Sequence, residues 1–164
     1  MRRFPKPDAE QAGEADERAI RAAALALLAG RDFGKHELSG RLHRRGFNDS
    51  RIAAVVDGLA AEGLLSDERF AEIFTAQRLR RGQGPLRIRL ELRERGVPED
   101  FIEAALVSAD ADWDRCAREV RARRFGAAMP SDYRQRAKQA RFLQYRGFSA
   151  EQIRAACGGE EIDP

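Results

Sequence analysis

The chain has only two cysteines, Cys116 and Cys157, which lie far apart and form no C-x-x-C pair. That leaves no basis for a disulfide framework or a cysteine-built zinc site, and agrees with a reducing, cytoplasmic compartment. Histidine is as scarce: His36 and His43 fall seven residues apart on one expected helix, with no third ligand beside them. They are read as solvated or half-buried side chains rather than a metal site. The longest apolar run, Ala22 to Ala29, is eight residues between flanking arginines, far short of the ~20 that cross a bilayer. The expectation is a soluble, cytoplasmic protein without a membrane segment. Asp110, Asp112 and Asp114 alternate as in a calcium loop, but Arg115 occupies the glycine position and Arg121 the bidentate glutamate position. The match fails there, and the aspartates read as the negatively charged start of a helix. G-x-x-x-x-G-K-[ST], G-x-S-x-G and H-E-x-x-H are all missing. No catalytic set, metal or cofactor is therefore expected.

What the chain does have is repetition. Leu42-x-x-x-Gly46-Phe47 with Ile52, Leu92-x-x-x-Gly96-Val97 with Ile102, and Leu143-x-x-x-Gly147-Phe148 with Ile153 share one signature, with glycines 50 and 51 residues apart. Such a period means one supersecondary unit used several times. A leucine four residues before glycine fits the buried face of a helix's last turn, and glycine beyond it supplies the left-handed cap. The isoleucine six residues later places a core contact in the next helix. Glu14 to Leu28, Asp67 to Arg80 and Asp112 to Arg124 read as a third helix per unit, with acids near their starts and, in the latter two, arginines near their ends; Ser66 is an N-cap candidate.

The expected fold is all-α: three tandem three-helix repeats, about nine helices, forming an elongated, curved body. The divisions are a disordered lead at 1–13, repeats at 14–64, 65–110 and 111–158, and an acidic tail at 159–164. A 15-residue helix is ~22 Å long, so three bundles in a row would reach on the order of 60 to 70 Å. Charged residues make up 35% of the chain, above the ~25% of an average domain, which suits small bundles with much exposed surface.

The middle repeat departs from the common pattern. Leu86, Ile88, Leu90 and Leu92 alternate with charged residues as in a half-buried strand, yet Pro85 suits a first helical position and Gly96 a cap, so a helix is expected. On it, Ile88 and Leu92 take the core positions. Leu86 and Leu90 lie on roughly the opposite side, either packed on a neighbouring helix or forming a partner-binding stripe. Charge is concentrated here as well. From Arg78 to Arg95 there are seven arginines against Glu91 and Glu94, a local +5 in a chain of net charge +3. Such an excess can attract phosphate or an acidic protein face, or can simply be a solvated helix surface.

The run Arg80-Arg81-Gly82-Gln83-Gly84-Pro85-Leu86-Arg87-Ile88, continuing through Leu92 to Gly96-Val97, resembles the central signature of the bacterial RecX family, regulators of the RecA recombinase. Glu37-Leu38 with Leu42 and Gly46-Phe47, Gly63-Leu64-Leu65-Ser66-Asp67-Glu68-Arg69-Phe70-Ala71, and Arg146-Gly147-Phe148-Ser149 with Ile153 resemble the family's flanking segments, so the likeness covers approximately residues 18 to 157. One departure is Phe33-Gly34, where the family often has an aromatic-Ser pair. Glycine there should weaken the helix start by only a few tenths of a kcal/mol.

The resemblance implies a non-enzymatic, monomeric regulator of DNA repair, recombination and the SOS response. It would bind RecA and its nucleoprotein filament, in the groove or at an end, and lower recombinase, ATPase and coprotease activity. Arg78, Arg81, Arg87, Arg89 and Arg93, with Leu86 and Leu90, are the expected contacts to RecA or to DNA phosphate, and single- or double-stranded DNA could meet the basic middle repeat. The rival reading is a sequence-independent DNA-binding protein acting without RecA.

Overall fold

The computed structural model describes residues 9–158. Among them all regular structure is helical, in the order α1 (Ala9–Leu28), α2 (Lys35–His43), α3 (Asp49–Ala61), α4 (Asp67–Arg80), α5 (Pro85–Glu94), α6 (Glu99–Ser108), α7 (Trp113–Phe125), α8 (Tyr133–Arg146) and α9 (Ala150–Cys157). The alternating Leu86–Leu92 segment is helix α5, as Pro85 and Gly96 predict. Helix α1 starts at Ala9, inside the segment expected to be disordered, and so ahead of the expected Glu14. The remainder of that lead, and the acidic tail at 159–164, lie outside the described residues. No described helix is long and apolar enough to cross a membrane.

The repeat signature sits where helix physics puts it. Gly46, Gly96 and Gly147 all have positive φ, at 87°, 72° and 89°, a region open to glycine but strained for other residues. Leu42, Leu92 and Leu143 are fully buried. The residue after the glycine is buried at Val97 and Phe148 but only half-buried at Phe47, and Ile153 is half-buried where Ile52 and Ile102 are buried. Helix starts carry side-chain caps from Asn48, Ser66, Asp112, Asp132 and Ser149, the last forming a full capping box with Gln152. Each satisfies an amide that the first helical turn leaves without a partner.

The chain forms two compact units, Met1–Phe70 with Arg95–Val97, and Ala71–Glu94 with Pro98–Pro164. In the first, α1, α2 and α3 pack on one another around Ile20, Leu38, Leu42, Ile52, Val56 and Leu59. Helix α2 begins at Gly34, which has no side chain to cap it, but the buried Asp67 carboxylate accepts a hydrogen bond from the Lys35 N–H at 2.8 Å. A Cβ at position 34 would meet Asp67 at 3.0 Å and Phe70 at 3.3 Å. Glycine therefore makes room for a cap delivered from elsewhere in the chain, and the serine is replaced rather than merely lost.

In the second unit α5 packs on α6, and α7, α8 and α9 pack on one another around Ala117, Val120, Leu143, Phe148, Ala156 and Cys157. The turn before α5 is joined to the end of α8 largely through backbone, with the Arg146 side chain also donating to the Arg81 carbonyl at 3.0 Å. The Gly84 N–H donates to the Arg146 carbonyl at 2.8 Å, and the Leu86 N–H donates to the Gly147 carbonyl at 3.0 Å. A Cβ on Gly84 would fall 2.6 Å from the Phe148 nitrogen, too close for any carbon. Replacing Gly84 by alanine should lower the unfolding free energy by about 1–3 kcal/mol in urea denaturation. Gly58→Ala, a helix-interior site with open space around it, should instead raise it by about 0.5–1 kcal/mol.

Candidate partner-binding surface

Leu86 and Leu90 are 53% and 55% exposed, whereas Ile88 and Leu92 on the same helix are fully buried. The leucine pair thus forms a stripe open to solvent instead of packing into a core. It makes one wall of a groove of about 710 Å³ within the second unit, with Ala140, Gln144 and Tyr145 from α8, Phe148 from the turn after it, and Ala150 and Ile153 from α9 opposite. The half-buried Ile153 is explained by this opening, since its free side faces the groove. Arg87, Glu91, Glu94 and Arg154 add charge to the lining.

The arginines sort differently from their appearance in sequence. Arg78 lies with its Nε 2.8 Å from Glu91, its side chain 19% exposed and its guanidinium 4.5 Å above the Phe74 ring. Arg87 pairs with the other oxygen of Glu91 at 3.0 Å, donates to the Tyr145 carbonyl at 3.2 Å, and lies 5.3 Å from the Tyr145 ring centre. Arg89 contacts Glu99 at 3.3 Å and Glu103 at 2.5 Å, and Arg93 reaches Glu99 at 2.6 Å. Four of the five candidate arginines are therefore held in internal ion pairs. Two glutamates of α6 outside the counted run, Glu99 and Glu103, lower the local excess from +5 to +3. Arg81 is exposed and makes no ion pair with a described residue.

These pairs set the titration of the surface. The hydrogen bond from Arg93 holds the Glu99 carboxyl below its ordinary range, and the same contact raises Arg93. The Glu91 hydrogen bond likewise raises Arg87. Burial pushes both the Cys116 and the Cys157 thiols up. Of the histidines, His43 lies 2.7 Å from Asp49 and His36 packs against Gly96. Among the described residues no three His, Cys, Asp or Glu side chains come together as metal ligands.

A second feature was not singled out from sequence. Helix α8 has no acidic residue, and its exposed side chains include Arg134, Arg136, Lys138 and Arg141 with Tyr133 and Tyr145 at 79% and 76% exposure. The readable signal is the 14-residue stretch from Tyr133 to Arg146, which holds five bases and no acid.

Fold and surface together define a helical-repeat protein whose distinctive chemistry lies on open faces of its second unit. Family profiles agree: the profile for RecX, second three-helix domain, matches residues 66–106, and that for RecX, third three-helix domain, matches residues 112–157. Regulatory protein RecX of Halorhodospira halophila is 50% identical over 153 residues, covering 93% of this chain and 94% of its own length. Regulatory protein RecX of Pseudomonas fluorescens (strain Pf-5) is 43% identical over 145 residues, covering 88% and 94%. The crystal structure of RecX from Lactobacillus salivarius shares the fold with a TM-score of 0.74 at 22% identity, over 87% of this chain and 95% of that one. The chain belongs to the RecX family of regulatory proteins.

Two outcomes follow from the ion pairs. Glu91→Ala leaves Arg78 and Arg87 without their shared carboxylate and should lower stability by about 1–3 kcal/mol in urea melts. Glu103→Ala, on the exposed side, should change it by less than about 1 kcal/mol. For Glu99 the folded pKa is depressed, so its stabilising contribution is fully present above the ordinary glutamate value of about 4.3 and is lost as pH falls through the lower folded value. Glu99→Gln should flatten the acid limb of a stability-versus-pH curve and leave the neutral plateau with little pH dependence.

Proposed function

We propose that this chain regulates a RecA recombinase by binding its nucleoprotein filament and lowering its ATPase, strand-exchange and coprotease activities. Membership of the RecX family supports a regulatory role. The observation that carries the binding face is the exposure of Leu86 and Leu90 in an open groove. Two leucines half in water beside a half-buried isoleucine forgo about half of the ~1.5–3 kcal/mol that full burial of each side chain would give, which a partner surface would restore.

The arginines act around that anchor. Arg81 is free to make a charge-assisted bond to carboxylate or phosphate. Arg87 and Arg93 are partly exposed, and their planar forks have five donors each, so an internal pair leaves some of them for a partner. Arg78 and Arg89 are more enclosed and orient the face through Glu91, Glu99 and Glu103.

DNA-stimulated ATP hydrolysis by the cognate RecA tests the reading directly. The native chain should inhibit at substoichiometric ratios, and Leu86→Ser with Leu90→Ser should raise the half-inhibitory concentration by about 30-fold, the effect of losing roughly 2 kcal/mol of a buried anchor. Simultaneous alanine replacement of Arg78, Arg81, Arg87, Arg89 and Arg93 should also weaken inhibition, provided circular dichroism shows a folded chain. Absence of inhibition and of filament binding by the native chain would refute the proposal.

A further inference from the structure

We propose that the exposed face of α8 is a binding surface for single-stranded nucleic acid, adjoining the leucine groove at Tyr145 and acting independently of any recombinase. Arg134, Lys138, Arg141 and Tyr145 follow at i, i+4, i+7 and i+11. At about 100° per residue they fall within a stripe roughly 60° wide and ~16 Å long. Arg134, Arg136, Lys138, Arg141 and Arg146 give the helix five cations and no acid. None of the five makes an ion pair with a described residue. That contrasts with α5, whose arginines meet Glu91, Glu99 and Glu103. A helix that leaves its cations uncompensated carries a standing positive potential, which favours an anionic partner.

The tyrosines narrow the chemistry of that partner. Tyr133 and Tyr145 are 79% and 76% exposed, one near each end of the stripe. Tyr145 has the Arg87 guanidinium 5.3 Å from its ring centre, while most of the side chain remains open to solvent. Basic residues that track a phosphate chain, interleaved with aromatic rings on which bases can stack, are the chemistry of single-strand binding. The basic surface continues beside α8. Arg81, Arg123, Arg124 and Arg146 surround a smaller groove at Phe142, whose ring faces Phe125 edge-on at 5.3 Å.

Other anionic partners fit less well. An anionic membrane surface would need a broad apolar face on the same helix, but the apolar side of α8, centred on Leu143, is buried in its own unit. An acidic protein segment would be served by the cations alone and gives no role to two solvent-facing rings. A duplex offers phosphates on its outside but keeps its base faces stacked away from the tyrosines.

Fluorescence anisotropy with a labelled oligothymidylate, using the full chain and no recombinase, tests the surface. Binding should weaken with salt, with log K falling by about 0.7 per neutralised phosphate for each unit of log salt. The triple variant R134A/K138A/R141A should lose at least 10-fold in affinity and flatten that slope by about 2. Y133A/Y145A should lose about 5- to 150-fold per stacked base while leaving the salt slope unchanged, and Y133F/Y145F should restore binding. R18A/R115A, removing two cations elsewhere, should bind within twofold of the native chain.

Thermal melts confirm that each variant folds. Lack of binding at low salt, or binding indifferent to both the triple and the tyrosine variants, would overturn the proposal. So would stronger, triple-sensitive binding to anionic vesicles or to polyglutamate than to oligothymidylate. Because the assay holds no RecA, failure here leaves the recombinase reading standing, and failure of RecA inhibition leaves this one standing.

Discussion

The second unit is organised by a contact made chiefly of main chain. Gly84 and Gly147 let the turn before α5 and the end of α8 meet backbone to backbone, closed by two hydrogen bonds. A methyl group at either glycine would collide with main chain or with the base of Arg87, so separation is not adjustable by side-chain movement. Rigid close approach of this kind transmits position with little slack. It fixes where Leu86 and Leu90 stand relative to α8 and α9, and it brings Arg87 against Tyr145. The groove and the tyrosine beside it are consequences of the same two glycines.

Charge in this chain is allotted unevenly, and the allotment separates structural arginine from available arginine. Around α5 the guanidiniums are tied to Glu91, Glu99 and Glu103, a network that shapes the surface but offers limited free charge. On α8 the cations have no such partners among the described residues. Internally paired groups already have part of their charge satisfied, and their gain from a further contact is correspondingly small. Unpaired groups near exposed rings retain their full reach toward an anion.

Most of the fold was legible because the repeat glycines, their leucines and their isoleucines are local features with local causes. Helix α4 follows from Ser66 and the acids after it, and α5 from Pro85 and Gly96. The open leucine stripe was left as one of two alternatives, since whether a neighbour covers Leu86 depends on how helices of different repeats approach. The pairing of the arginine run is not legible in the sequence for a related reason. Its counter-charges, Glu99 and Glu103, sit in the following helix, and a count confined to the run cannot see them. The basic face of α8 is spread over a helix whose apolar positions match the common repeat pattern, so it does not stand out as a departure from it. Gly34 was read as a missing cap when the cap comes from Asp67, far along the chain.

That borrowed cap has a consequence for the order in which the molecule can be made. The start of α2 relies on a carboxylate at the start of α4, and Gly34 lies close enough to Phe70 that a methyl there would touch its ring. The first three-helix unit is thus complete in sequence before it is complete in its interactions. As synthesis proceeds from the N-terminus, α2 acquires its final stabilisation only after the ribosome has released Asp67 and Phe70. A fragment ending at the last residue of α3 would lack both, whereas one extended through Phe70 would contain every residue that closes this helix start.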